Sequence, residues 1–406
     1  MLNSTHPIIP NADEYMLEKK YIYITSHDIN KDKYPSTSNF EIELPQDYCN
    51  VQSIALSSFN FPSNINTFSP DSNNVRMTFI IDNIYTPSGS HPNYDYEYAI
   101  YIALTEKLNS ANKEFLVTIG SGNYSKQQFQ NELTNKFNMV VSDYIINYLR
   151  SIGDTTNEAL FLINQYSEFI IKFNIVSEKI WYGNKSSGFV LTNNYATTVE
   201  FQQCSASYGF IPLSNENYWG LPEIIGLPRR PTSSTKTDNL NDARFFYFPT
   251  IVDGIWLKPS QPDSPYVYFI ESAYKWNPLY EKYNFFMEID KLNCIDQCAR
   301  WDSKIVETQE SNITNGIVDS TFSRIFIYCN PNTSDNFYYN GTSADIGVKI
   351  FNPPMERIRR LRIRFKYHYG AYVSFGNLPY SFTLAVTMFR PQSLKKFSMY
   401  RPESFR

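Results

Sequence analysis

FNPPMERIRRLRIRFKYHYGAYVSFGNLPYSFTLAVTMF, residues 351–389, decides the fold class. From Arg360 to Tyr367 the residues alternate strictly. Arg360, Arg362, Arg364 and Lys366 fall on one side, and Leu361, Ile363, Phe365 and Tyr367 on the other. A period of two sends successive side chains to opposite faces of a β-strand. The apolar face must bury against a second layer, and the basic face stays wet or meets an acidic neighbour. A glycine-containing turn follows. A second strand then places Phe382, Leu384, Val386 and Met388 on one side. The pattern predicts a β-sandwich with a basic stripe on one exposed face. An ordinary solvated strand face is the competing reading of that stripe.

Working outward, the chain of 406 residues is long enough for two or three cores or one large elaborated one. Its formal net charge of −4 excludes a surface that is basic overall, as a nucleic-acid footprint would be. Aromatics make up 17% of residues, a bias toward pleated, half-buried surfaces. Charged residues make up only 19%, which suits extensive protein or carbohydrate contacts, because tyrosine buries area and keeps a polar handle. Five cysteines, Cys49, Cys204, Cys294, Cys298 and Cys329, are too few and odd in number for a disulfide framework. No signal peptide and no long apolar run are read, so a soluble protein made in the cytosol is expected. Asn-x-Ser/Thr sequons at Asn3, Asn123, Asn184, Asn312, Asn332 and Asn340 are expected chance matches in an asparagine-rich chain.

Strands are predicted at 21–26, 40–44, 51–61, 76–82, 115–119, 168–176, 188–192, 198–203, 251–257, 266–271, 283–290 and 322–329, before the terminal pair. A short helix is expected within 99–108. The longest helix is expected over 125–141. Ser125 and Gln128 form a capping box there, and Phe129, Leu133, Phe137, Val140 and Val141 form an apolar stripe that packs on a sheet. Lys126, Gln130, Glu132 and Asn135 are read as its polar face. The first strands and the terminal pair are expected to share one sandwich.

Chemistry is hard to find. No nucleophile elbow, phosphate loop or dinucleotide fingerprint occurs. Asp28, Asn30 and Asp32 imitate a calcium loop, but Lys33 stands where glycine is needed and Asn39 where glutamate is needed, so a turn role is expected. Cys294 and Cys298, with Cys329, do not complete a zinc site. Asp290, Asp296 and Asp302 give no defined carboxylate pair. Trp219, Trp276 and Tyr280 are candidates for stacking on sugars. No catalytic residue, metal site or cofactor is expected, and the chain is read as a non-enzyme.

Three segments carry a resemblance: YIYITSHDINKDKYPSTSNFEIELPQDYCNVQSIALSSFNFP at 21–62, FLVTIGSGNYSKQQFQNELTNKFN at 115–138, and the run from FMEIDKLNCIDQC to the closing strands at 286–386. In that order they resemble the minor capsid, or structural virion, proteins of nucleocytoplasmic large DNA viruses. Tyr369 before Gly370 departs from the family pattern, which has an acidic residue there. The resemblance implies a shell component without a catalytic site, located in the virion, made in the host cytoplasm, and bound to major capsid protein and other minor capsid proteins.

The fold expected is therefore mainly β: a jelly-roll-like antiparallel β-sandwich with an inserted α+β region. Its expected parts are an N-terminal arm at 1–18, a sandwich body at 19–110 and 243–390, an insertion at 111–242 and a basic arm at 391–406. Partner contacts are assigned to Arg360, Arg362, Arg364, Lys395, Lys396, Phe397, Tyr400 and Arg401. An inner membrane surface is a rival target for those charges; a specific nucleic acid and a small-molecule substrate are not expected. The alternative function is a carbohydrate-binding β-sandwich, an attachment or lectin-like module.

Overall fold

The computed structural model describes residues 15–62, 65–70, 74–192, 220–228, 230–243, 256–277, 284–296, 320–326, 338–341, 347–367, 372–376 and 378–391. The fold is mainly β, and every strand pairing among these residues is antiparallel.

The strands are β1 (Tyr15–Thr25), β2 (Asn39–Pro62), β3 (Arg76–Asn83), β4 (Phe115–Thr118), β5 (Phe169–Asn174), β6 (Lys179–Asn184), β7 (Gly188–Leu191), β8 (Thr232–Ser233) and β9 (Thr235–Thr237). They continue with β10 (Val267–Glu271), β11 (Asn284–Ile289), β12 (Ile295–Asp296), β13 (Ser320–Thr321), β14 (Ser323–Phe326), β15 (Tyr338–Gly341), β16 (Val348–Lys366) and β17 (Ser381–Pro391). The helices are α1 (Tyr94–Asn109), α2 (Lys126–Ile152), α3 (Thr155–Ile163) and the single turn α4 (Leu221–Ile224).

The two ends of the chain meet in one seven-stranded sheet, ordered β1-β17-β2-β16-β11-β14, with β15 also on β2. Ile22 stands opposite Leu384, and Leu361 opposite Ile42. The first strands and the terminal pair therefore share a sheet, as their alternation predicts. This sheet curls into a half-barrel around its own core. Leu361, Ile363, Phe365 and Tyr367 are all buried there, as are Phe382, Leu384, Val386 and Met388. At the centre lies Phe61, its ring 4.9 Å from Phe285, 5.2 Å from Tyr380 and 5.3 Å from Phe365.

β2 has 24 residues and was expected as two strands. Its buried positions run Tyr48, Val51, Ile54, and each of these three-residue steps breaks the period of two. Asn50 has φ 53°, and the pairings with β16 and β17 both shift register near Val51. A bulge of this kind bends a strand without ending it, and here it lets one strand follow the curl.

A second core lies between two four-stranded sheets, β5-β6-β10-β9 and β4-β3-β7-β8, with α2 against them. The Phe79 ring stacks on Phe137 of α2 at 4.5 Å and meets Phe169 of β5 edge-on at 5.1 Å. α2 has 27 residues, carries the expected capping box at Ser125 and Gln128, and is the longest helix among the described residues. Phe129, Leu133, Phe137 and Val141 are buried along it. Val140, assigned to the same stripe, is only partly buried.

The two cores divide the chain differently from the sequence boundaries. β3 and α1 were grouped with the terminal sandwich, yet Met77, Phe79, Ala103 and Leu104 sit in the second core, because β3 pairs with β4 and β7. Tyr268 and Ile270 of β10 belong there as well. Tyr15–Glu18, assigned to the N-terminal arm, form the start of β1. The strand β6 was not anticipated. Trp256 and Leu257 lie outside any strand, while 198–203 and 251–255 fall outside the described residues.

Gln130 is a further correction. It was assigned to a solvent face but is 5% exposed. Gln130, Thr134 and Asn138, each one turn apart on α2, line up with Phe173, Ile171 and Phe169 of β5. Gln130 Oε1 accepts from Phe173 N at 3.0 Å, Thr134 Oγ1 from Ile171 N at 3.0 Å, and Asn138 Oδ1 from Phe169 N at 2.9 Å. β5 is an edge strand, and this side-chain ladder satisfies donors that a free edge would leave open.

Candidate functional site

The outer face of the curled sheet divides into a charged end and an apolar end. At the charged end, β16 lies between β2 and β11. Its register shifts between Ile358 and Arg360, so Ile358 and Leu361 both point inward while Arg359 and Arg360 are both exposed. Acidic strands answer the arginines. Arg359 Nε donates to Glu43 Oε1 at 2.9 Å, and Arg357 lies 3.6 Å from Asp47. Arg360 is 3.7 Å from Glu41, and Arg362 stands opposite Glu41 in register. Arg364 reaches Asp290 at 2.9 Å and Glu288 at 3.4 Å, and Lys366 reaches Glu288 at 3.0 Å. The Glu288 side chain is only 7% exposed, so two cations hold one buried anion.

Of the partner-binding residues assigned from sequence, Arg364 is thus committed within the sheet, and Arg360 and Arg362 remain exposed. Lys395, Lys396, Phe397, Tyr400 and Arg401 lie outside the described residues.

The apolar end was not singled out from the sequence. Leu17, Tyr21 and Tyr23 alternate with the buried Ile22 and Ile24 on β1 and are 54%, 60% and 65% exposed. Tyr21 stands opposite Ala385, which stands opposite Ala55, which stands opposite Val348. Lys19 continues likewise through Thr387 and Ser53 to Ile350. Large apolar groups therefore flank a floor of Ala55, Ala385, Ser53 and Thr387. Val348 and Ile350 on the far wall are 46% and 68% exposed. β1 ends the sheet, so its outer edge is unpaired among the described residues. The signal in the sequence was YIYI at 21–24, apolar at every position.

A separate cleft of about 170 Å³ opens beside the second core. The N-terminal turns of α1, the segment before β5 and the β6–β7 turn form it, with Gln261 at its rim. Gln261 bridges two groups: its Nε2 donates to Glu97 Oε2 at 3.4 Å, and its Oε1 lies 3.2 Å from His91 Nε2. Burial raises the Glu97 carboxyl above the ordinary value, and the neighbouring Glu168 adds to the rise, against opposing contributions from His91 and Gln261. Ser260 donates to Glu168. Burial, then Glu97 and Glu168, push the Tyr96 hydroxyl up to about 12. Burial alone would raise Asp263, but bonds from Tyr85 and Ser88 outweigh it and hold that carboxyl at about 2.

The remaining sequence candidates are dispersed. Trp276 packs in the second core, 5.8 Å from the Phe129 ring and 5.6 Å from Phe173. Trp219 and Tyr280 lie outside the described residues. Asn30 Oδ1 accepts from Asp32 N and Lys33 N, each at 3.1 Å, which makes the calcium-loop imitation a turn. Cys294 Sγ donates to Phe322 O at 3.4 Å; Cys298, Cys329 and Asp302 are outside the described residues. Among the described residues no three His, Cys, Asp or Glu side chains are grouped to hold a metal ion, and no helix is long and apolar enough to cross a membrane.

No protein-family model and no curated protein matches the chain. Two solved structures align along most of it. The mavirus penton protein is 8% identical with a TM-score of 0.32, covering 92% of this chain and 98% of that one. A chain in the cryo-EM structure of the Sputnik virophage is 12% identical with a TM-score of 0.34, covering 94% of this chain and 99% of that one.

Proposed function

We propose that this chain is a structural protein of a large DNA virus shell. In this reading it is a minor capsid protein that cements the icosahedral capsid by binding major capsid protein and other minor capsid proteins. One observation carries the reading: the apolar end of the outer sheet face, with Leu17, Tyr21 and Tyr23 on one wall and Val348 and Ile350 on the other. The solvated face of an antiparallel sheet is ordinarily polar. A largely apolar face, interrupted by Lys19 and floored by Ser53 and Thr387 as well as alanines, beside a strand whose edge is unpaired among the described residues, suits protein contact. The resemblance of segments 21–62, 115–138 and 286–386 to minor capsid proteins says what kind of contact.

Arg360 and Arg362 at the charged end, and Lys395, Lys396, Phe397, Tyr400 and Arg401 in the basic arm 391–406, are the secondary docking elements. Charges of this kind speed and orient encounter more than they add affinity. An inner membrane with anionic lipids is the rival target for the arm. The virion is the location that follows, with synthesis in the host cytoplasm.

Particle incorporation tests the reading. A Tyr21→Asp, Ile350→Asp double variant that keeps its circular dichroism spectrum should be lost from purified particles. Normal incorporation of that variant refutes the role of the face. Deletion of 391–406 tests the arm separately, and an undiminished yield of particle-bound protein would remove it from the account.

A further inference from the structure

The cleft beside α1 is unused by any shell contact described above, and its chemistry is one-sided. Glu97 and Glu168 both line this space; His91 acts on Glu97, and no Lys or Arg pairs with either carboxylate among the described residues. The groups that could donate are already engaged. Tyr96 Oη donates to Asn164 O at 2.6 Å, Tyr85 Oη to Asp263, and the Gln261 amide to Glu97. What remains is spare acceptor capacity: Glu97 accepts from Gln261 and Glu168 from Ser260, and an ionised carboxylate can accept further hydrogen bonds.

The walls narrow the ligand class. Tyr85, Tyr96 and Tyr101 line the cleft. Tyr101 continues outward as a stack, 5.8 Å from the Tyr98 ring, which is 5.4 Å from Tyr94. A volume of about 170 Å³ is the share of roughly five or six water molecules, the scale of one sugar ring. A metal ion is a poor fit, since no group of three ligating side chains is present among the described residues. A ligand with several hydroxyl donors and an apolar C–H face meets both the acceptors and the rings.

We propose that this cleft binds a single neutral sugar unit, with Glu97 and Glu168 accepting from its hydroxyls and the Tyr101–Tyr98–Tyr94 stack carrying the next units of a glycan. The site goes beyond the shell role and is independent of it. Acidic sugars are excluded, because their carboxylate would face Glu97 and Glu168.

The test is saturation-transfer NMR and calorimetry on the full chain with free galactose, glucose, mannose, N-acetylglucosamine and sialic acid. The expected result is binding of at least one neutral sugar and none of sialic acid. Glu97→Gln and Glu168→Gln should each weaken that binding by about tenfold or more, the loss of one charged hydrogen bond. Tyr98→Ala, distant from the first ring, should weaken a disaccharide more than the monosaccharide. Absence of binding by every neutral sugar at tens of millimolar overturns the proposal. So does preference for sialic acid, or full sugar affinity in both glutamine variants. If either glutamine variant fails to fold, Tyr101→Leu replaces it, with the same loss expected and unchanged affinity counting against the site.

Discussion

Replacing Phe61 by alanine should be among the most damaging single changes in the terminal sheet. The side chain is fully buried. Its ring meets Phe285 and Phe365 edge-on at 4.9 and 5.3 Å, and stacks on Tyr380 and Phe375 at 5.2 and 5.8 Å. Those partners come from β11, β16 and the segment leading to β17, so one side chain ties the curled sheet across its interior. Burial and cavity terms for Phe→Ala amount to about 3–5 kcal/mol. Aromatic pairs add about 0.5–1.5 kcal/mol each, but the partners touch one another and the sum is not additive. The upper end of the range, about 4–5 kcal/mol, is expected. Urea unfolding followed by near-ultraviolet circular dichroism measures it, as a shift in midpoint at constant slope. Phe137→Ala in the second core is the companion variant. Where the two cores unfold in separate steps, each variant moves its own transition, and where they unfold together both move the same one. Tyr23→Ala, at 65% exposure, is the control and should stay within about 0.5 kcal/mol of wild type. If Phe61→Ala also loses less than about 1 kcal/mol, the half-barrel is not packed around this ring.

Other substitutions probe the remaining layers. Glu288→Ala leaves Lys366 without its anion and Arg364 with Asp290 alone, and should cost about 3 kcal/mol by the same unfolding assay. Gln130→Ala removes the acceptor for Phe173 N and should cost about 1–3 kcal/mol, whereas exposed Asn135→Ala on the same helix should be nearly silent. Glu97→Gln tests the strained carboxyl through pH. A glutamate raised by folding binds its proton more tightly in the native state, so its ionisation costs stability as pH rises through that raised value. The variant should therefore melt higher than wild type at neutral pH, and the gap should close as pH falls below about 4. A gap that widens on acidification contradicts the assigned direction.

How much of this was legible depended on whether a period survived intact. The run Arg360–Tyr367 read correctly because one face is wholly buried and nothing interrupts its alternation. Immediately before that run the same strand carries a bulge, and Arg359 and Arg360 turn out together, which no fixed period anticipates. β2 split into two readings for the same reason, since the kink at Asn50 breaks the alternation that defines a strand. Gln130 read as part of a wet helix face, and only the neighbouring edge of β5, with donors to satisfy, makes it interior. The cleft had no signal, because Glu97, Glu168, His91 and Gln261 come from separate segments and none belongs to a motif.

β1 shows how a pattern can be read correctly and still withhold its meaning. YIYI is apolar on both sides of a strand, and strands of that kind belong in layers covered on both faces. Here Ile22 and Ile24 are covered by the half-barrel core, while Tyr21, with only the Lys19 ammonium over its ring, and Tyr23 stay 60% and 65% exposed. The inner pair accounts for the fold. The outer pair has no role in it, since the floor beneath, Ala385 and Ala55, is too small to bury two tyrosine rings. Tyrosine in that position keeps the free chain soluble through its hydroxyl while offering a large rigid ring to a neighbour. The uncovered half of β1 is therefore better explained by assembly than by folding. The two contributions separate experimentally, since Tyr21→Asp should leave the melting temperature close to wild type and, on the proposed shell role, abolish incorporation into particles.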